Sequence, residues 1–284
     1  MRLAPAASLG LPELTDLFNA AYSDYPVPFR LDLAALQFTL DVTDVDLGAS
    51  CVAFDDGKPA ALALVAVRGA ECWIAGMGTA PLSRRKGLGE VALRAALDAA
   101  RERGAGAALL EVIEENVGAL RLYEKLGFEP VRPLVVWMLD GPAGRSGQAR
   151  PADPVVAQAW IAAHRPSPEP WQRSDATVER MRQVGHTLEG LIHDRGGEIA
   201  GAALCRVSSE RVSVLQIAAR DEDAAADLIA AASSRAGTLR LINAPAGEPA
   251  SRALERLGGR AEVRQHEMRL DLDHASGRGG SDPV

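Results

Sequence analysis

The chain has 284 residues, 47% hydrophobic and 24% charged, with a formal net charge of -7. That length allows one large domain or two of ordinary size, and the acidic balance argues against a general nucleic-acid or anionic-membrane partner. Cys51, Cys72 and Cys205 lack metal-ligand spacing, no signal-peptide pattern opens the chain, and the apolar runs are too short to span a bilayer, so a cytoplasmic protein without a metal is expected.

Leu11, Leu14, Phe18 and Ala21 recur at helical spacing and predict a first helix over 11–21. Tyr22-Ser23-Asp24-Tyr25-Pro26-Val27-Pro28-Phe29 then reads as an aromatic loop, followed by a helix across 32–41. Strands are predicted over 50–54, 60–67 and 71–78, with a hairpin turn at 55–58. Leu88, Val91, Ala92, Ala95, Ala96, Ala99 and Ala100 give the apolar face of a helix that Gly104 ends. A strand over 107–113, a short helix over 116–126 and strands over 128–130 and 134–139 follow. Strand, helix and strand between 71 and 113 form a crossover, so those two strands should be parallel. The Gly/Pro-rich segment 141–154 has linker composition, and the Gly/Ser/Asp-rich tail over 274–284 reads as disordered.

Between the third strand and the long helix stands Ser83-Arg84-Arg85-Lys86-Gly87-Leu88-Gly89-Glu90. Three cations running into two glycines at a helix start suit a polyanion. The glycines can turn successive N–H groups toward one point, and the helix adds unpaired amides. A Walker loop is excluded because no Ser or Thr follows a Gly-Lys pair. Gly87-x-Gly89-x-x-Ala92 matches a dinucleotide pattern, but residues 79–86 separate it from the strand end where that turn belongs.

The second half echoes the first. On a shift of 131, Ala119-x-Arg121-x-x-Glu124-x-Leu126-Gly127 meets Ala250-x-Arg252-x-x-Glu255-x-Leu257-Gly258. Upstream the shift is 140, with Gly57 meeting Gly197, Ala60 meeting Ala200 and Val67 meeting Val207. Nine residues are therefore missing from the second copy between about 78 and 92, which removes the glycine loop. A duplication with one intact copy is expected.

Arg84-x-x-Gly87-x-Gly89 resembles the Gln/Arg-x-x-Gly-x-Gly/Ala signature of the GCN5-related N-acetyltransferase (GNAT) superfamily. Asn116-x-x-Ala119-x-x-Leu122-Tyr123-Glu124-Lys125-Leu126-Gly127-Phe128 resembles its second motif, and the element order agrees over about 50–140. The resemblance implies an α/β (α+β) protein of two GNAT-like domains. Each would be a mixed, mostly antiparallel sheet with a central splayed parallel strand pair flanked by helices. The catalytic domain would cover 1–140, and a degenerate one 155–273.

It further implies transfer of an acetyl group from acetyl-CoA to an amine of a small molecule or peptide within a ternary complex. The pyrophosphate would lie on Arg84, Arg85, Lys86, Gly87, Leu88 and Gly89, and the pantetheine arm between the splayed strands near Met77, Gly78 and Thr79. Asn116 and Ala119 would border the arm, and Lys125 would face the adenosine phosphates or solvent. Tyr123 would protonate the CoA sulfur; the second copy has Leu254 there. No general base stands out among Glu71, Glu111, Glu114 and Asp24. The aromatic loop is expected to wall the acceptor site, and the five histidines, all after residue 160, to be structural or surface residues. The two domains would form an intrachain pseudo-dimer in a monomer or homodimer. A non-catalytic acyl-CoA sensor or scaffold is the other function open at this point.

Overall fold

The computed structural model describes residues 1–25, 27, 30–144 and 148–273. The expected tail, His274, and Pro26, Pro28 and Phe29 of the aromatic loop lie outside them. The chain divides into two compact units, Met1–Val131 with the chain from His266 onward, and Arg132–Gln265.

In the first unit β1 (Arg2–Pro5), β2 (Cys51–Asp55), β3 (Lys58–Arg68) and β4 (Glu71–Thr79) form an antiparallel meander. β5 (Ala107–Ile113) joins β4 in parallel, as the crossover requires. The β2–β3 turn is built on positive φ at Asp56 and Gly57, 47° and 79°, which suits the twist of a two-residue hairpin. α1 (Leu11–Ala21) and α2 (Leu33–Val42) cover one face of the sheet, burying Leu14, Phe18, Leu36 and Leu40 against Val52, Phe54, Leu62 and Leu64. α2 starts at Asp32, whose carboxylate accepts the Ala35 N–H at 2.7 Å. α3 (Leu88–Glu102) and α4 (Val117–Lys125) lie on the other face. α3 buries Leu88, Ala92, Leu93, Ala96, Leu97 and Ala100; the stripe has the predicted 3.6-residue period but is rotated toward Leu93 and Leu97, with Val91, Ala95 and Ala99 of the expected face only partly buried.

The second unit repeats this plan. α5 (Pro154–His164) and α6 (Asp175–Gln183) precede the meander β8 (Glu189–Arg195), β9 (Glu198–Val207) and β10 (Arg211–Ala219). α7 (Glu222–Ser233), β11 (Thr238–Pro245), α8 (Pro249–Arg256) and β12 (Arg260–Asp271) follow. β10 lies 140 residues after β4. β12 lies 131 residues after β6 (Glu129–Asp140) at both ends. Even the bulges correspond. Ala75 is the extra residue where Leu64 pairs with Gly76 and Val65 with Ile74, and Leu215 is the extra residue between Val214 and Gln216.

The division falls elsewhere than at residue 140. β6 leaves the first unit after Val131, and its later residues pair with β11, from Leu134↔Pro245 to Asp140↔Thr238. β12 crosses back: from His266 it belongs to the first unit, as the neighbour of β5, with Met268, Leu270 and Leu272 in the core under α3. The predicted linker is also shorter than expected, because β7 (Arg150–Ala152) pairs with β8 and Asp153 caps α5. No described helix is long and apolar enough to cross a membrane.

Candidate functional site

The parallel pairing of β4 with β5 runs only from Glu71↔Ala107 to Trp73↔Leu109, while β4 continues to Thr79 and β5 to Ile113. The bulge at Ala75 bends β4 just past that point. Peptide groups on the open side of β4 then need partners other than a strand. At Met77 the partner is Tyr22, whose hydroxyl accepts from the backbone N–H and donates to the backbone carbonyl, both at 3.2 Å.

Glycines let α1 come this close. A Cβ at Gly76 would lie 2.9 Å from the Phe18 ring, and one at Gly78 would lie 2.8 Å from Ala21 Cβ. Tyr22 stacks on Phe18 with centroids 4.5 Å apart, and Tyr25 tilts against Tyr22 at 5.0 Å and hydrogen-bonds Asn116. Tyr123 reaches in from α4, its hydroxyl 3.8 Å from Met77 Sδ and its ring edge-on to Phe128. All three tyrosines of the chain thus gather at the open end of β4. Burial pushes each of their hydroxyls up from the ordinary tyrosine value, so all remain protonated at neutral pH.

The glycine loop turns through positive φ at Arg85 (62°) and Gly87 (77°) before α3 begins. Gly87 is the N-cap and offers no side chain, so the first amides of α3 are left for another acceptor. Gly89 serves differently from what the sequence suggests. It is an ordinary helical residue, and its missing Cβ makes room, since one there would lie 2.7 Å from Thr79 Oγ1 and 2.8 Å from Met77 Cε. Leu88 is buried in the core, so only its backbone faces the loop.

Two of the three cations are engaged within the protein. Arg84 grips Asp24 with both terminal nitrogens at 2.5 Å and donates from Nε to the Thr79 carbonyl at 3.1 Å. Lys86 meets Asp55 at 2.5 Å, where Ser83 also donates at 2.8 Å. Arg85 is exposed and has no ion-pair partner among the described residues. Lys125 reaches Glu90 at 2.7 Å and so ties the end of α4 to the start of α3. Asn116 caps α4 through the Ala119 N–H at 3.1 Å, which explains both residues.

Three of the four candidate bases are held by hydrogen bonds, and Glu114 stands farther from its neighbour. The Arg84 hydrogen bonds hold Asp24 below the usual carboxylate range. Glu111 accepts from Trp73 Nε1 at 2.8 Å, Glu71 pairs with Arg269 at 2.8 Å, and Glu114 lies 4.0 Å from His266 Nε2. The sequence reading assigned no histidine to the first half, yet His266 belongs to the first unit because β12 crosses back. A signal for this existed only in the repeat, since β12 matches β6.

Residues 11–128 match the family described as Acetyltransferase (GNAT) family. This segment belongs to the GNAT superfamily. Over 49 residues the chain is 51% identical to streptothricin acetyltransferase of Streptomyces lavendulae, which is 17% of this chain and 26% of that protein. It therefore spans about a quarter of the curated relative it matches. The whole fold is shared with a GCN5-related N-acetyltransferase from Sphaerobacter thermophilus (TM-score 0.71, 19% identity, 99% of this chain and 96% of that one). It is shared also with a tandem GNAT protein from the clavulanic acid biosynthesis pathway (TM-score 0.67, 15% identity, 99% and 100%). GNAT enzymes take acetyl-CoA as donor and act on amine acceptors.

The second unit departs from the first at three places. Two residues, Arg220 and Asp221, replace the glycine loop between β10 and α7. Asp221 caps α7 through the Ala224 N–H at 3.0 Å and pairs with Arg195 at 2.5 Å; these bonds lower it to about 2. Leu254, at the place of Tyr123, is fully buried. Where β10 and β11 separate, after Val214↔Leu241, the buried Arg173 donates to the Leu215 carbonyl at 2.9 Å and the Asn243 carbonyl at 3.3 Å.

Proposed function

We propose that the first unit is an acyl-CoA N-acyltransferase with one donor site per chain, and that the second unit is a degenerate GNAT copy in tandem with it. The bare N-terminus of α3 beside the open end of β4 carries this reading. The donor pyrophosphate would lie on the amides of Gly87, Leu88 and Gly89, with Arg85 as the cation free to meet it. The pantetheine arm would follow Thr79, Gly78 and Met77, supplying partners for β4.

Transfer then needs a neutral amine attacking the thioester carbon, a donor for the developing oxyanion, and a proton for the departing thiolate. The Met77 N–H would serve the second task. Tyr123 is suited to the third, because its hydroxyl lies beside Met77 and stays protonated. One proton passes overall from the amine nitrogen to the CoA sulfur. The acceptor is a primary amine of a small molecule or a peptide. The short, close match to a streptothricin acetyltransferase supports the small-molecule class.

Titration calorimetry with acetyl-CoA, on the wild type, Gly87→Glu and Arg85→Ala, tests the donor site. Micromolar binding that falls at least tenfold in both variants is expected, and equal affinity would remove the assignment. A panel of amines with thiol release as readout tests the reaction; tight binding without turnover on any amine would favour the sensor or scaffold reading instead.

A further inference from the structure

The last turn of α1 and the residues after it occupy both ends of the proposed donor site. Tyr22 holds the N–H and the carbonyl of Met77. Two residues on, Asp24 holds the guanidinium of Arg84, and Arg84 also reaches back to the Ala21 carbonyl at 3.4 Å. The Tyr22 contacts, at 3.2 Å each, lie at the long end of the usual hydrogen-bond range, so an oxygen that approaches more closely competes with them. The ring itself is firmly based, stacked on Phe18 and 3.5 Å from where a Cβ of Gly78 would stand. One hydroxyl thus stands in for the partner that the peptide group of β4 lacks.

We propose that Tyr22 is a positioning residue that occupies the Met77 peptide while the donor site is empty, and that an incoming thioester carbonyl must displace its hydroxyl to reach the Met77 N–H. This rests on the donor reading above. Asp24 plays the matching part at the other end, because a phosphate drawing on Arg84 competes with its carboxylate. Binding at the phosphate end would therefore loosen the same short segment that carries Tyr22. With the pantetheine amides meeting Thr79 and Gly78, the thioester of an acylated donor is the group that brings a carbonyl to the Met77 N–H, so the displacement separates acetyl-CoA from free CoA.

The test is titration calorimetry of the full chain with acetyl-CoA and with CoA, on the wild type, Tyr22→Phe and Asp24→Asn. Tyr22→Phe keeps the stack on Phe18 and removes only the hydroxyl. It is expected to bind acetyl-CoA about three- to tenfold more tightly than the wild type, the worth of one hydrogen bond, and CoA with unchanged affinity. Asp24→Asn is expected to tighten both ligands alike. Equal or weaker acetyl-CoA binding in Tyr22→Phe, or an equal change for both ligands in that variant, would overturn the proposal while leaving the donor site standing. Failure of either ligand to bind any of the three proteins would instead remove the donor reading, and this proposal with it.

Discussion

Gly87 and Asp221 stand at the heads of corresponding helices and have opposite effects there. Gly87, at φ 77°, leaves the amides of α3 open, whereas the Asp221 carboxylate closes those of α7. Exchanging their roles should be measurable. Gly87→Asp brings a carboxylate to the N-terminus of α3 and is expected to weaken acetyl-CoA binding by about tenfold or more through like-charge repulsion. Asp221→Ala is expected to leave that affinity unchanged and to lower stability by about 1 kcal/mol through loss of a cap. Calorimetry and chemical denaturation read the two effects separately.

Gly89 and Gly118 give a matched pair of helix substitutions. Alanine is the better helix former by about 1 kcal/mol, and at Gly118 its Cβ would meet only Asn116 Oδ1 at 3.8 Å, an ordinary contact. Gly118→Ala should therefore stabilise by about 0.5–1 kcal/mol. Gly89→Ala would drive a methyl into Thr79 Oγ1 and Met77 Cε, so it should destabilise by about 1–3 kcal/mol in spite of the propensity gain. Melting curves with the same sign for both would show that α3 and β4 are less closely packed than described.

Tyr123 sets an expectation for pH. Its hydroxyl is pushed up by burial, and the neighbouring Tyr22 and Tyr25 add to the effect. The protonated form an acid needs thus persists beyond the ordinary tyrosine value of about 10. Thiol release should rise with pH as the acceptor amine loses its proton, and should not fall again below about pH 10. Tyr123→Phe is expected to lower kcat by about 100-fold with little change in donor KM. A falling limb between pH 8 and 9 that Tyr123→Phe abolishes would contradict the burial argument.

Arg173 bridges the separated strands of the second unit through its bonds to the Leu215 and Asn243 carbonyls. Its side chain and that of Glu169, 3.0 Å away, are 2% and 6% exposed. Burial raises Glu169 to about 7 against the pull of Arg173. Arg173→Met would leave that carboxyl buried and unpaired, and is expected to cost about 3–5 kcal/mol in urea denaturation. Adding Glu169→Met should recover most of the loss. Without that recovery, the carbonyl bonds of Arg173, rather than its charge, would account for the effect.

The two offsets, the βαβ crossover and the α1 and α3 helices were legible because they depend on local periodicity and on turn glycines such as Gly57 and Gly104. The glycine loop was legible for the same reason, although Gly89 turned out to be a packing residue. What could not be read were pairings over long separations. Arg84 finds Asp24 across 60 residues, Lys125 finds Glu90 across 35, and Tyr22 finds Met77 across 55. Each of these side chains has the same composition whether it meets solvent, ligand or protein. β1 and β7, at three or four residues, were too short to show a period. The crossing of β6 and β12 left no trace beyond the match of the two strands in the repeat, because a strand's pattern records which face is buried and not which neighbour it pairs with.

That crossing has a consequence for synthesis. The first unit contains the whole proposed donor site, yet its sheet lacks the strand that begins at His266 until residues 132–265 have been made. At about 5–20 residues per second this is a delay of roughly 7–30 s, during which β5 has an open edge on the nascent chain. The half of the protein translated first is therefore among the last to close, and its folding on the ribosome waits for the half that lacks the glycine loop.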